Sequence, residues 1–180
     1  MVDIFKLKFT GLQIEVLRFL MLQSGKSFTQ NALAKKLDVS STAIAKSLDG
    51  ISDFILLSKD KESLRISISL NTHDRNVIHS KRVENLRNIY DSGLYDFLCE
   101  SFPTATIVLF GSYAYGEDTV NSDIDIAIFG SKAKMPDFLR FERILFRKIS
   151  VNFYERFNKV DPFLKGNILN GILLEGRIEL

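Results

Sequence analysis

The residues whose types and spacing can do chemistry lie at 109–128. They read Leu109-Phe110-Gly111-Ser112-Tyr113-Ala114-Tyr115-Gly116, then six residues, then Asp123-Ile124-Asp125-Ile126-Ala127-Ile128. A strand that ends in Gly-Ser lets the backbone approach a phosphate closely, because Gly111 has no Cβ to obstruct it. The amides opening the following helix, together with the Ser112 hydroxyl, can donate hydrogen bonds to that phosphate. Asp123 and Asp125 stand two apart in an expected strand, so both carboxylates leave one face, about 7 Å apart along the backbone. Between them they can hold Mg²⁺ (or Mn²⁺), which takes oxygen ligands and completes its shell with waters and substrate phosphates. Asp-x-Asp on a strand edge can also be a plain solvated face. Two like charges on a buried strand are a costlier arrangement, since they repel and resist desolvation. The ordered combination favours a metal and phosphate site, with Gly111 and Ser112 for phosphate and Asp123 and Asp125 for metal and catalysis.

The elements that must position these residues follow from periodicity. Residues 106–110 form a short apolar, β-branched run, expected as a buried strand. In the next one Ile124, Ile126 and Ile128 point away from the aspartates and anchor the strand. Residues 135–147 place Phe138, Leu139, Phe141, Ile144 and Leu145 at helical spacing, and residues 149–154 read as a further strand. Upstream, Val83, Leu86, Ile89 and Tyr90 mark an amphipathic helix, and Leu94, Phe97 and Leu98 a second one that Pro103 stops. Polar residues 72–80 supply the expected linker.

The N-terminal part reads as three helices and a hairpin. Ile14, Leu17, Leu20 and Met21 recur at helical spacing behind Thr10 as N-cap; Thr29 caps a second helix with Leu33, Ala34 and Leu37 inward. Ser40 or Ser41 caps a third, with Ala43, Ile44 and Leu48 inward and Gly50 near its end. The period then changes: residues 54–57 are strand-like, 59–62 form a charged turn, and Leu64, Ile66, Ile68 and Leu70 alternate with polar residues.

Two resemblances follow from these motifs. Residues 28–70 resemble the winged helix-turn-helix of MarR-like regulators. The order apolar strand, Gly-Ser, about ten residues, Asp-Ile-Asp is similar to the signature of the DNA polymerase β-like nucleotidyltransferase superfamily. The minimal nucleotidyltransferases resemble it most, in the Leu-Phe-Gly-Ser start and in Ser122 before the aspartate pair. That likeness runs over residues 94–180, where 163–168 and 171–173 look like the family's closing helix and strand. It implies an α+β protein of two domains: a winged helix-turn-helix over 1–72, a linker and connecting helix over 73–90, and over 91–180 a mixed sheet flanked by helices. It also implies binding of a nucleoside triphosphate with Mg²⁺, for transfer of a nucleoside monophosphate to an acceptor hydroxyl.

The family uses a third carboxylate on a later strand to help deprotonate the attacking hydroxyl. Here it is expected at Ser150 or Asn152, and neither is an acid. An amide or hydroxyl can ligate a metal but takes no proton at neutral pH. Substrate or water supplies the base, Glu155 is recruited through a bulge, or the domain binds nucleotide without turning it over.

For the N-terminal module, the third helix would enter the major groove of double-stranded DNA. It would offer Ser41, Thr42, Ala45, Lys46 and Asp49, with Lys59 and Lys61 from the wing reaching phosphates. One lysine and no arginine on that helix is thin for DNA, since phosphate neutralisation supplies most of the affinity. A homodimer formed through helices in 83–98 would double the contacts. Residues 1–72 hold 10 Lys/Arg against 7 Asp/Glu, whereas the whole chain has a net charge of only +2. The single cysteine excludes an internal disulfide, and His73 and His79 lack zinc spacing. No signal peptide or apolar run of membrane-spanning length is evident, so a cytoplasmic location is expected. Three functions stay open: a nucleotidyltransferase, a DNA-binding regulator with a nucleotide-sensing domain, and an antitoxin-like partner of a toxin or other protein acceptor.

Overall fold

A computed structural model of the chain describes residues 9–59, 66–132 and 135–179. The chain divides into two compact units, Met1–Val77 and Ile78–Leu180. Among the described residues no helix is long and apolar enough to cross a membrane.

The first unit contains α1 (Gly11–Leu22), β1 (Phe28–Thr29), α2 (Gln30–Lys36), α3 (Ser41–Asp49), β2 (Ile55–Lys59) and β3 (Ile66–Leu70). Each helix starts where a hydroxyl satisfies a first-turn amide. Thr10 forms a reciprocal capping box with Gln13, Thr29 accepts from Ala32 N, and Ser40 accepts from Ala43 N. Val16, Leu20, Leu33, Ile44, Ile68 and Leu70 bury together beneath an antiparallel sheet ordered β1-β3-β2. Three helices, a β-hairpin and a short third strand make a winged helix-turn-helix. The two-residue β1 had no periodic signal. Lys61 of the wing and Leu64 of the alternating strand lie outside the described residues.

The second unit is built on a four-stranded mixed sheet ordered β6-β5-β4-β7. Its strands are β4 (Thr106–Phe110), β5 (Ile124–Phe129), β6 (Ile149–Tyr154) and β7 (Ile172–Glu175). The β4 strand runs antiparallel to β5 and β7, whereas β5 and β6 are parallel. A parallel pair needs a crossover, and α7 (Leu139–Leu145) lies in it. One sheet face buries Ile107, Leu109, Ile124, Ile126 and Ile128 against α5 (Leu94–Ser101) and Phe138, Phe141 and Leu145. The other face gathers Val108, Phe110, Ala127 and Phe129 with Phe157 and Ile168 of α8 (Pro162–Leu169).

Two helical expectations are corrected. The helix expected over 135–147 is confined to Leu139–Leu145, and Leu139 and Ile144 are exposed. Helix α4 (Arg75–Asp91) begins inside the expected 72–80 linker, and of its expected apolar stripe Ile89 and Leu86 do pack on the core while Val83 and Tyr90 do not. Val83 is 69% exposed, while Val77, Lys81, Asn85 and Ile89 are all buried. These four recur every fourth residue, so the stripe is helical but half polar. The site loop meets this helix at Gly116, whose φ is 79° and whose position leaves no room for a side chain. A Cβ there would lie 2.5 Å from the Ile78 carbonyl and 2.7 Å from the Arg82 nitrogen. Gly116→Ala is therefore expected to destabilise the unit by at least about 1–2 kcal/mol, from left-handed strain alone, read as a lowered midpoint in thermal unfolding.

Candidate functional site

The β4 strand ends at Phe110, and the chain turns at once into α6 (Gly111–Tyr115). That turn requires φ of 73° at Gly111, a region that glycine enters without strain. A Cβ on Gly111 would lie 2.5 Å from Asp125 Oδ2. The glycine of the phosphate-type loop and the second aspartate are thus in contact, brought together because Phe110 and Asp125 are cross-strand partners. Ser112 is half-buried at the start of α6, and its carbonyl accepts from Gly116 N and Glu117 N, closing the short helix.

Asp123 sits one residue before β5 rather than within it, and is exposed; Asp125 is the second strand residue and half-buried. Burial raises the Asp125 carboxyl above the ordinary carboxylate range, and the charge of Asp123 raises it further. Among the described residues neither carboxylate has a cationic partner. Nor do the described residues contain a cluster of three or more His, Cys, Asp or Glu. Two crowded oxygen donors without a counter-ion suit a divalent cation whose remaining ligands are waters and phosphate oxygens. Beside Asp123 opens a cleft of about 510 Å³, lined also by Ser122, Arg143, Phe146 and Lys148.

The parallel register decides between the two places expected for a third acid. Ser150 is level with Asp125, and Asn152 with Ala127. Ser150 is therefore the residue beside the aspartate pair, whereas Asn152 is displaced along the strand by about 7 Å. Glu155 follows the far end of β6 and lines a separate cleft of about 830 Å³ with Phe129 and Gly130. A one-residue bulge cannot carry it back past five residues, so Glu155 is not placed to replace the missing acid.

Sequence reasoning missed a buried cluster behind the loop, formed by Lys81, Asn85, Asp118 and Arg147. The signal that could have found it is the fourfold spacing of Lys81, Asn85 and Ile89, hidden because two of the three are polar.

In the winged helix, Thr42, Ala45, Lys46 and Asp49 of α3 are exposed as expected, and Lys59 ends β2 in an exposed position. Ser41 is half-buried instead: its hydroxyl donates to Asn31 Oδ1 at 2.5 Å and its carbonyl accepts from Gln30 Nε2 at 2.7 Å. It braces α2 against α3. Lys35 and Lys36 are exposed cations at the end of α2 that the reading of α3 alone did not single out.

The raised Asp125 carboxyl gives a signed expectation. Stability contributed by its protonated form is present at low pH and is lost as pH rises through its folded-state value. Asp125→Asn should therefore raise the metal-free unfolding midpoint at neutral pH, and the gain should shrink as pH falls through that value. Thermal scans of both proteins across a pH series check it.

No curated protein matches the chain. Among solved structures, the adhesin competence repressor AdcR of Streptococcus pyogenes aligns with a TM-score of 0.40 at 20% identity, covering 53% of this chain and 69% of that one. The MepR–DNA complex of S. aureus aligns with a TM-score of 0.38 at 19% identity, covering 52% and 77%. Residues 92–174 match the family model described as a nucleotidyltransferase domain. That segment, which holds Gly111, Ser112, Asp123 and Asp125, is thus similar to a nucleotidyltransferase domain.

Proposed function

We propose that the second unit binds a nucleoside triphosphate with Mg²⁺, and that its transfer of nucleotide to an acceptor hydroxyl is slow for want of a base. The observation that carries this reading is the contact between Gly111 and the Asp125 carboxylate. A phosphate seated on the Gly111–Ser112 turn would lie beside the aspartates that bind its metal. Asp123 and Asp125 would hold the cation, which when bound supplies charge neutralisation for the phosphates. Ser112 would donate its hydroxyl to a phosphate oxygen, and the Gly111 backbone would allow the approach. Ser150, level with Asp125, can orient an acceptor hydroxyl by hydrogen bonding but cannot keep its proton.

The winged helix, with Thr42, Lys46 and Lys59 exposed, is the proposed double-stranded DNA-binding module. A non-acidic residue at 150 favours a second reading, a DNA-binding regulator that senses nucleotide without turning it over.

Calorimetry with each of the four triphosphates plus Mg²⁺, alongside transfer of labelled nucleotide, tests these readings. Wild type is expected to bind, and the Asp123→Ala/Asp125→Ala double variant to lose metal-dependent binding. Absence of binding by wild type overturns the site. Ser150→Asp should raise transfer by about a hundredfold, the scale of a positioned general base, with nucleotide affinity little changed. If it gives no transfer while binding persists, the sensing reading stands. On DNA, Lys46→Ala should weaken binding and reduce the salt dependence of log K by about one unit, measured by titration at several salt concentrations.

A further inference from the structure

The cluster behind the site loop is an ionic network that no step above uses. Lys81, Asp118 and Arg147 are respectively 0%, 1% and 3% exposed. The two oxygens of Asp118 serve different elements. Oδ1 accepts from Lys81 Nζ and, at 2.7 Å, from Asn85 Nδ2, both on α4. Oδ2 accepts from Arg147 Nε at 3.2 Å and Nη2 at 2.9 Å, in the turn that leads into β6. Lys81 Nζ also donates to the Asp118 main-chain carbonyl at 2.9 Å, and Asn85 Nδ2 to the Tyr113 carbonyl of α6 at 2.9 Å. One loop residue is thereby tied to α4 and to the entry of β6, with Asn85 reaching on to α6.

Stability is a poor explanation for this arrangement. It buries two cations against one anion, and desolvation pulls the Lys81 ammonium below its ordinary value. Replacing buried ions by apolar groups of similar volume is often neutral or stabilising. What the network does supply is placement. Asp123 lies five residues after Asp118, and Ser150 three after Arg147. Little slack remains between Asp118 and Asp123. Thr119 N donates to Ser122 Oγ at 3.0 Å, Asn121 N to Thr119 Oγ1 at 3.3 Å, and Ser122 N to the Thr119 carbonyl at 3.0 Å.

We propose that the buried Lys81–Asp118–Arg147 network positions the site loop, setting Asp123 against Asp125 and against the start of β6. Its functional consequence rests on the reading of the two aspartates as metal ligands; the placement of the loop does not. These are positioning residues, acting through the backbone on Asp123.

Two variants of the full chain test it. Lys81→Met leaves Asp118 paired with Arg147 and Asn85 but strips its main-chain carbonyl of a donor, so it should fold with a lowered unfolding midpoint, and its exchange is read under conditions well below that midpoint. Asp118→Asn is the stricter variant. Hydrogen exchange at the amides of Thr119, Asn121 and Ser122 reads the loop, and free Mn²⁺ followed by electron paramagnetic resonance reads the metal. Lys81→Met is expected to exchange faster at those amides and to bind Mn²⁺ about tenfold more weakly, the scale of lost outer-shell support. Unchanged exchange in both variants overturns the proposal, whatever happens to the midpoint. If wild type takes up no Mn²⁺, the metal reading fails; faster loop exchange in the variants still upholds the positioning role.

Discussion

Two negative charges at the mouth of one buried strand impose the constraint around which the second unit is arranged. A carboxylate level with the core cannot be solvated freely, and a second one nearby deepens the cost. Asp125 is half-buried between β4 and β6 with Asp123 beside it, and both burial and that neighbouring charge raise its carboxyl above its ordinary value. Among the described residues, no lysine or arginine side chain pairs with it. The surroundings leave a turn without a Cβ on one side and a small hydroxyl residue on the other. Under the proposed function, a nucleotide-bound cation would satisfy such a place better than a fixed protein cation, because a permanent partner would occupy the position the ligand needs. In that reading, electrostatic strain and ligand affinity are one quantity seen from two states of the same carboxylates.

The parts legible in the sequence are those with strong local signals. The hydroxyl caps at Thr10, Thr29 and Ser40 fixed where helices begin, and the runs at 106–110 and 149–154 became strands at those bounds. The Gly-Ser and Asp-Ile-Asp elements were visible because each residue type has a distinct use at its place. Tertiary pairing was not visible. Nothing in residues 28–29 signals a strand, since β1 exists only through its partner β3. Likewise the choice of Ser150 over Asn152 needed the register of a parallel pair, which no local pattern encodes. The inward face of α4 was misread because apolar periodicity weighs side chains by polarity, and this helix turns a lysine and an asparagine inward. Val83 and Tyr90, apolar and exposed, drew the reading to the wrong stripe.

The Asp118 network explains why that unusual stripe can exist. An inward lysine is tolerable only when a carboxylate meets it, and an inward asparagine only when its amide finds acceptors. Asp118 meets the first condition, and Asp118 with the Tyr113 carbonyl meets the second. The glycine closes the loop onto α4 and the aspartate pins it there. Polar residues that look like solvent-facing helix surface therefore belong with the site loop, and neither set makes sense alone.

The parallel pairing of β5 and β6 has a consequence for divergence. Its register is held by the crossover through α7 and by the apolar side chains Ile126, Val151 and Phe153, none of which is chemically active. The side chain at 150 can therefore change its chemistry without disturbing the alignment that places it, the aspartate pair or the glycine turn. The alignment of position 150 and the chemistry of its side chain are thus set by different residues.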